Sequence, residues 1–278
     1  MSDSHVLNNG FNIPAIGFGT FRTAAGKDTE ESVTAAIRAG YRLIDGAAAY
    51  QNEQSVGLGI RNASVRREDL FITSKLWNKE KGYDPTIKAV EKTLSDLQLA
   101  YLDLYLIHWP IGKGFKDRWK AVNRETWRAF EELAVAGKIR SLGVSNFRPH
   151  HLDALLEHAK IQPAVNQIEF HPGELQPETV KYCQEHKILV EAWAPLSNGA
   201  ILKNADVLNV ADKYHKSAAQ VVLRWIIQKG IVPKSITPSR IRENLDVFAF
   251  ALQAEDVAVL DRVTDGGSSG LDPDLVDF

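Results

Sequence analysis

The sequence predicts a closed (β/α)8 barrel, on three observations. Apolar, β-branched runs of five to eight residues recur eight times along the chain. Segments of helical period separate them, and no composition break or linker divides the chain near its middle. The runs span 15–20, 41–47, 70–77, 102–109, 139–145, 164–170, 188–195 and 231–235. Strands read as near-continuous apolar runs when helices cover the sheet or when they line a barrel. Amphipathic stretches at 29–39, 85–97, 124–136 and 217–229 supply covering helices. Eight even units fit closure better than an open, two-domain doubly wound sheet. The 278 residues are therefore read as a single domain, 1–278, since such barrels run to about 250 residues.

Two further pieces decorate the pattern. Val6-Leu7 and Phe11–13, joined by Asn8-Asn9-Gly10, read as a hairpin, because Asn-Gly favours a turn with positive φ. It is placed to plug the N-terminal mouth of the barrel. Beyond Leu260, the run Gly266-Gly267-Ser268-Ser269-Gly270 is loop chemistry. It is either a frayed end or a flap over the open mouth.

Composition excludes several function classes. Hydrophobic residues at 44% and charged residues at 24% describe a soluble protein with a sizeable core. A net charge of −2 gives no field that would draw nucleic acid or an anionic membrane, so an anionic ligand needs a local basic cluster. Cys183 is the single cysteine, which excludes an intrachain disulfide, and no Cys/His spacing suggests a metal site. Within the helix-like stretch 177–186 it reads as a packed helical residue rather than a catalytic thiol. The N-terminus has no signal-peptide pattern, and no apolar run approaches the roughly 18–20 residues that cross a bilayer. A cytoplasmic location is expected.

In barrels of this kind, chemistry gathers where strands end at the C-terminal mouth. The second strand runs into Asp45, with Tyr50 shortly after; the third carries Lys75; the fourth ends His108-Trp109-Pro110. Individually each has a plain structural reading: a turn or cap Asp, a core His, a snorkelling Lys. Together they place four ionisable groups from three consecutive strands on one rim. Asp45 and Lys75 would offset each other's burial. A lysine cation within about 4–6 Å would lower the pKa of the Tyr50 phenol from near 10. His108 would orient a substrate oxygen or share the proton load. The arrangement suits protonation of an oxygen on which negative charge is building.

These residues lie in motifs that resemble the aldo-keto reductase family nearly end to end. The motifs are Gly17-Phe18-Gly19-Thr20, Ile44-Asp45-Gly46-Ala47-Ala48-Ala49-Tyr50-Gln51-Asn52-Glu53 and Thr73-Ser74-Lys75-Leu76-Trp77. They continue with Asp103-Leu104-Tyr105-Leu106-Ile107-His108-Trp109-Pro110, Gly143-Val144-Ser145-Asn146-Phe147, Val165-Asn166-Gln167-Ile168-Glu169 and Pro233-Lys234-Ser235. The resemblance implies a catalytic tetrad of Asp45, Tyr50, Lys75 and His108. It implies reduction of small aldehydes and ketones with NADPH, with hydride passing from the nicotinamide and Tyr50 supplying the proton. It also implies cofactor contacts at Thr20, Phe21, Asp45, Ser145, Asn146, Gln167 and Leu196, with Trp193 stacked on the nicotinamide or serving as a plain wall aromatic. Lys234, Ser235 and Arg240, followed by Glu243 and Asn244, match the family's adenosine-phosphate site. Cations beside a helix start make a good anion site, unless the arginines there merely form a solvated helix face. No Gly-x-Gly-x-x-Gly follows a strand, so no Rossmann domain is indicated.

The substrate pocket is expected to be rimmed by Phe21, Tyr50, Trp77, His108 and Trp109, an aromatic wall suited to small carbonyls. Length and loop economy are most similar to the bacterial 2,5-diketo-D-gluconate reductase branch. The implied partner is a small-molecule carbonyl, with no nucleic acid or membrane, and a monomer is expected. Three features depart from the family pattern: Gly46 stands where Thr is usual, the strand before Pro233 is about two residues short, and Gly266-Gly267-Ser268-Ser269-Gly270 lacks the basic and bulky residues often found in the family's tail. Because side chains alternate with period two, a two-residue loss keeps the same residues inward. Work in the alcohol-oxidising direction, a cofactor-binding regulatory role and a structural role are the alternatives; the intact tetrad speaks against the last.

Overall fold

The computed structural model describes residues 4–235 and 241–278 of the chain. Two short strands, β1 (Ser4–Val6) and β2 (Asn12–Pro14), pair antiparallel as a hairpin. Eight parallel strands then close a barrel: β3 (Gly17–Gly19), β4 (Leu43–Asp45), β5 (Phe71–Leu76), β6 (Leu102–Ile107), β7 (Ile139–Ser145), β8 (Val165–Glu169), β9 (Leu189–Trp193) and β10 (Val232–Ser235). They neighbour one another in chain order, and β10 pairs with both β9 and β3 to complete the circle. The strands are shorter than the apolar runs that predict them, because the flanking apolar residues pack as loop rather than extend the ladder.

Helices cover the outside: α1 (Lys27–Ala39), α2 (Glu53–Asn62), α3 (Tyr83–Leu97), α4 (Trp119–Val135), α5 (Pro149–Leu156), α6 (Pro177–Glu185), α7 (Ala205–Tyr214), α8 (Ala218–Gln228) and α9 (Ala254–Asp261). Helix α8 starts with a capping box, in which Ser217 Oγ accepts from the Gln220 N–H and the Gln220 side chain returns to the Ser217 backbone. Such a cap contributes about 1 kcal/mol. Cys183 lies fully buried in α6, and burial pushes its thiol up to about 11, so it is inert at neutral pH.

Two packing regions determine where the open site can be. Inside the barrel's lower half, Leu43, Phe71, Leu104, Leu106, Val165 and Val232 pack together with Leu7 and Ile13 of the hairpin. The hairpin therefore plugs the N-terminal mouth, and Asn8 fastens it by donating to the Pro163 carbonyl at 2.9 Å. The polar ends of the strands are left facing the opposite mouth. The tail is a flap rather than a frayed end. The Ser269 N–H donates to Glu169 Oε1 at 2.9 Å, and Asp274 is held by Arg148, His150 and His151.

Glycines next to these parts differ in what they allow. A Cβ on Gly266 would sit 1.8 Å from the Pro172 carbonyl oxygen, so the flap docks only with no side chain there. At Gly46 a Cβ would meet Thr20 Oγ1 and the Thr73 carbonyl at 3.7 Å, an ordinary contact, and φ is not in the left-handed region. Gly46→Ala is accordingly expected to raise stability by about 0.4–1 kcal/mol by restricting the unfolded chain. Gly266→Ala is expected to cost about 1–3 kcal/mol, as overpacking does, and to expose the flap to limited proteolysis. Thermal unfolding of both variants beside the parent chain checks the opposite signs.

Candidate active site

Period-two alternation sends Asp45 of β4 and Lys75 of β5 into the barrel, where both are buried, Lys75 completely. A lysine there is tolerable only if its charge is matched. Lys75 Nζ donates to Asp45 Oδ1 at 2.7 Å and to the Gly46 carbonyl at 2.7 Å. Its third contact is the Tyr50 hydroxyl at 3.4 Å. Tyr50 reaches this point because a single 3-10 turn, Ala48–Tyr50, follows β4 and returns the ring over the mouth. The main chain under Asp45 is fixed as well, since Thr20 donates to the Asp45 carbonyl from both its N–H and its hydroxyl at 3.0 Å.

His108 follows β6 and stands edge-on to Tyr50, with ring centroids 5.9 Å apart, and to Trp77 at 5.3 Å. The structure thus brings all four tetrad residues of the sequence reading to one place. It alters their electrostatics in two respects. Burial, reinforced by the Asp45 charge, pushes the Tyr50 phenol above its usual 10, with Lys234 opposing. The expected lowering by Lys75 does not prevail, because that ammonium is already committed to Asp45 and Gly46. Burial, helped by the Lys75 charge, holds His108 well below 6.5, so it is a neutral imidazole at neutral pH and does not carry a proton as a cation.

The cleft above these groups has a volume of about 410 Å³. Phe21, Trp77, Trp109, Trp193, Leu271 and Phe278 supply its apolar walls. Phe278 stacks parallel on Trp77 at 5.7 Å and edge-on to Trp109 at 5.5 Å. Asn78 and the Lys113 N–H both donate to the Phe278 carbonyl, fixing the chain end there. Across the mouth, Arg22 donates to Asn198 Oδ1 at 3.3 Å, bridging the loops after β3 and β9. Neither the Phe278 wall nor the Arg22 bridge is foreseen from the sequence, because both join residues far apart in the chain.

The polar groups expected to hold the cofactor are arrayed along β7, β8 and β9. Ser145 Oγ donates to the Gln167 carbonyl at 2.8 Å, and Asn146 donates to Ser145 Oγ and to the His108 carbonyl. Trp193 is oriented by its indole N–H, which donates to Asn146 Oδ1 at 2.8 Å. Gln167 Nε2 bridges Asp45 Oδ2 and Glu191 Oε2, each at 3.1 Å. Glu191 is a buried carboxyl whose pKa is raised by burial. The sequence reading misses it, although a lone Glu inside Leu189-Val190-Glu191-Ala192-Trp193 is itself a signal. Thr20 is fully buried behind Asp45 rather than on the cleft surface, and Leu196 packs against the outer core.

Lys234 requires a correction. Expected beside the adenosine phosphate at the barrel rim, it is buried inside the barrel, with Nζ 2.8 Å from Asp45 Oδ2. Its pairing with Gly17 of β3, two residues below Gly19 at the end of that strand, sets that depth. Of the other phosphate-site candidates, Glu243 and Asn244 stand in the 3-10 turn Glu243–Leu245, with Asn244 buried. Arg240 and the Ser235 side chain lie outside the described residues.

Comparison with known proteins agrees with this geometry. A family model for the aldo/keto reductase family matches residues 15–265. The chain is 50% identical over 280 residues to the glyoxal reductase of Bacillus subtilis (strain 168), covering 100% of this chain and 99% of that protein. An aldo-keto reductase enzyme from a Medee basin deep-sea metagenome library superposes with a TM-score of 0.91 at 41% identity, over 99% of this chain and 100% of the other. A Bombyx mori aldo-keto reductase solved in complex with NADP superposes with a TM-score of 0.87 at 35% identity, over 96% and 94% of the two chains. With its barrel, its buried Asp–Lys–Tyr cluster and these matches, the chain belongs to the aldo/keto reductase family.

Proposed function

We propose that this chain reduces small aldehydes and ketones to alcohols with NADPH, using Tyr50 as the proton donor. The observation that carries the reading is the Asp45–Lys75–Tyr50 chain of contacts, ending at a phenol that faces an apolar cleft beside a neutral His108. The donor set suits a nicotinamide: Ser145, Asn146 and Gln167 offer polar groups beside the half-buried Trp193, whose ring is already fixed. When bound, NADPH supplies the hydride that reaches the carbonyl carbon.

The residues of the chain do the remainder. His108, neutral and lodged between Tyr50 and Trp77, orients the carbonyl oxygen. Tyr50 transfers its proton to that oxygen as negative charge develops. Lys75, held by Asp45, offsets the charge left on the phenolate. The walls formed by Trp77, Trp109 and Phe278 exclude water and favour compact substrates. Small dicarbonyls such as glyoxal, the substrate named for the Bacillus subtilis relative, fit this cleft, as do keto sugars.

The direct test is NADPH consumption, followed by absorbance, against methylglyoxal, phenylglyoxal, 2,5-diketogluconate and a nitrobenzaldehyde. No turnover with any of the panel would remove the reading. Tyr50→Phe is expected to lower kcat by at least about 10²-fold, the scale of a lost general acid, while NADPH binding measured by fluorescence is retained. Retention of more than a few per cent of the parent turnover would exclude Tyr50 as donor.

The pH dependence follows from the two shifts. Reduction needs Tyr50 protonated, which holds until pH rises past a pKa already raised above 10. His108 stays neutral above a pKa well below 6.5. The kcat profile is therefore expected to be flat from about pH 7 to 9, with its loss on the alkaline side. A fall in kcat on raising pH from 6 to 8 would instead assign the proton to a histidinium.

A further inference from the structure

The barrel floor holds one more cation than a lysine–carboxylate pair needs. Asp45 presents Oδ1 to Lys75 at 2.7 Å and Oδ2 to Lys234 at 2.8 Å, so the two ammonium groups grip the same carboxylate from opposite oxygens. Both lysines are nearly fully buried, on strands that reach Asp45 from different sides of the barrel. Gln167 donates to the same Oδ2 and ties it to Glu191, the other carboxyl of the floor. Lys234 also lines the cleft with Tyr50 and His108.

We propose that Lys234 is a positioning residue of this active site: it holds Asp45 by the oxygen that Lys75 leaves free and adds positive charge beneath Tyr50. The role in turnover rests on the carbonyl-reduction reading above; the pairing with Asp45 does not. Two lysines against one ionised Asp45 leave the floor cationic while both keep their protons; burial keeps Glu191 toward its neutral form and lowers the Lys234 pKa, which the Asp45 charge opposes. A cationic floor favours charge developing on the phenol and on the substrate oxygen, and Lys234 opposes the burial that makes Tyr50 a weaker acid. The same placement withdraws Lys234 from any phosphate at the rim.

Two measurements on the whole chain test this. The first is a double-mutant cycle in urea unfolding with Lys234→Met, Asp45→Asn and the pair, which needs no turnover. Groups in direct contact couple, whereas separated sites add to within about 0.3–0.5 kcal/mol. The expected result is non-additivity of at least about tenfold in the unfolding constant, which is about 1.4 kcal/mol. Additive effects would overturn the pairing. If Lys234→Met does not fold, Lys234→Gln takes its place in the cycle.

The second is the split between kcat and KM. Lys234→Met is expected to lower kcat for carbonyl reduction about tenfold, with KM for NADPH and for NADH each changed less than about twofold. A rise in KM for NADPH of tenfold or more, with NADH and kcat spared, would return Lys234 to a phosphate site and overturn the proposal. Should the parent chain reduce no carbonyl, the function proposed above falls, and the unfolding cycle alone decides whether Lys234 holds Asp45.

Discussion

The C-terminal mouth depends on one carboxylate. Asp45 is buried at the end of β4, and an isolated charge at such depth would neutralise or unfold its surroundings. Burial pushes its pKa up, yet Lys234 and Lys75 together hold it below the usual carboxylate range. Each partner comes from a different strand: Lys75 from β5, Gln167 from β8 and Lys234 from β10, while Thr20 anchors the main chain from the end of β3. The register of much of the barrel is thereby tied to one ionised group. Removing Asp45 would leave Lys75 and Lys234 buried without their shared carboxylate, which costs more than the pairs contribute. The apolar burial that offsets this cluster lies below it in the barrel and, more extensively, between barrel and helices.

That geometry determines what the site can do. A phenol whose pKa is raised keeps its proton at rest and gives it up only to an oxygen that becomes strongly basic, as a carbonyl does when hydride arrives. Lysine charge placed close by, but committed to Asp45, needs no reorganisation when charge appears on the phenol. Under the proposed function a neutral His108 matters, because a cation there would compete with Tyr50 as acid. Apolar walls around these groups strengthen each electrostatic contact by keeping water out.

The parts of this site that were legible in the sequence share one property: each is local to a strand end. Asp45, Lys75 and His108 interrupt apolar runs, and period-two alternation already sends them to one rim. The eight runs and the Asn-Gly hairpin were legible for the same reason, since periodicity and turn chemistry act over a few residues. Contacts between distant segments were not. Phe278 on Trp77, Arg22 across to Asn198 and Ser269 on Glu169 depend on where the barrel brings loops together. The direction of the Tyr50 shift was missed because it turns on how Lys75 divides its three contacts, a matter of ångströms. Glu191 is visible in the sequence as an acidic residue inside an apolar run.

Lys234 shows that the face a side chain takes and its depth along the barrel are separate properties. An even number of residues lost from a barrel strand leaves every side chain on its own face, so alternation records no change. What changes is depth along the axis, and depth decides function in a barrel, because the lower layers are apolar packing and only the top of each strand meets ligand. Lys234 stands at the depth of Asp45 rather than at the strand end. There it is tolerated because Asp45 had an oxygen not taken by Lys75, with Glu191 and Gln167 lining the same side. Under the proposed function, the depth of a single side chain on β10 thus decides which charge lies beside Tyr50.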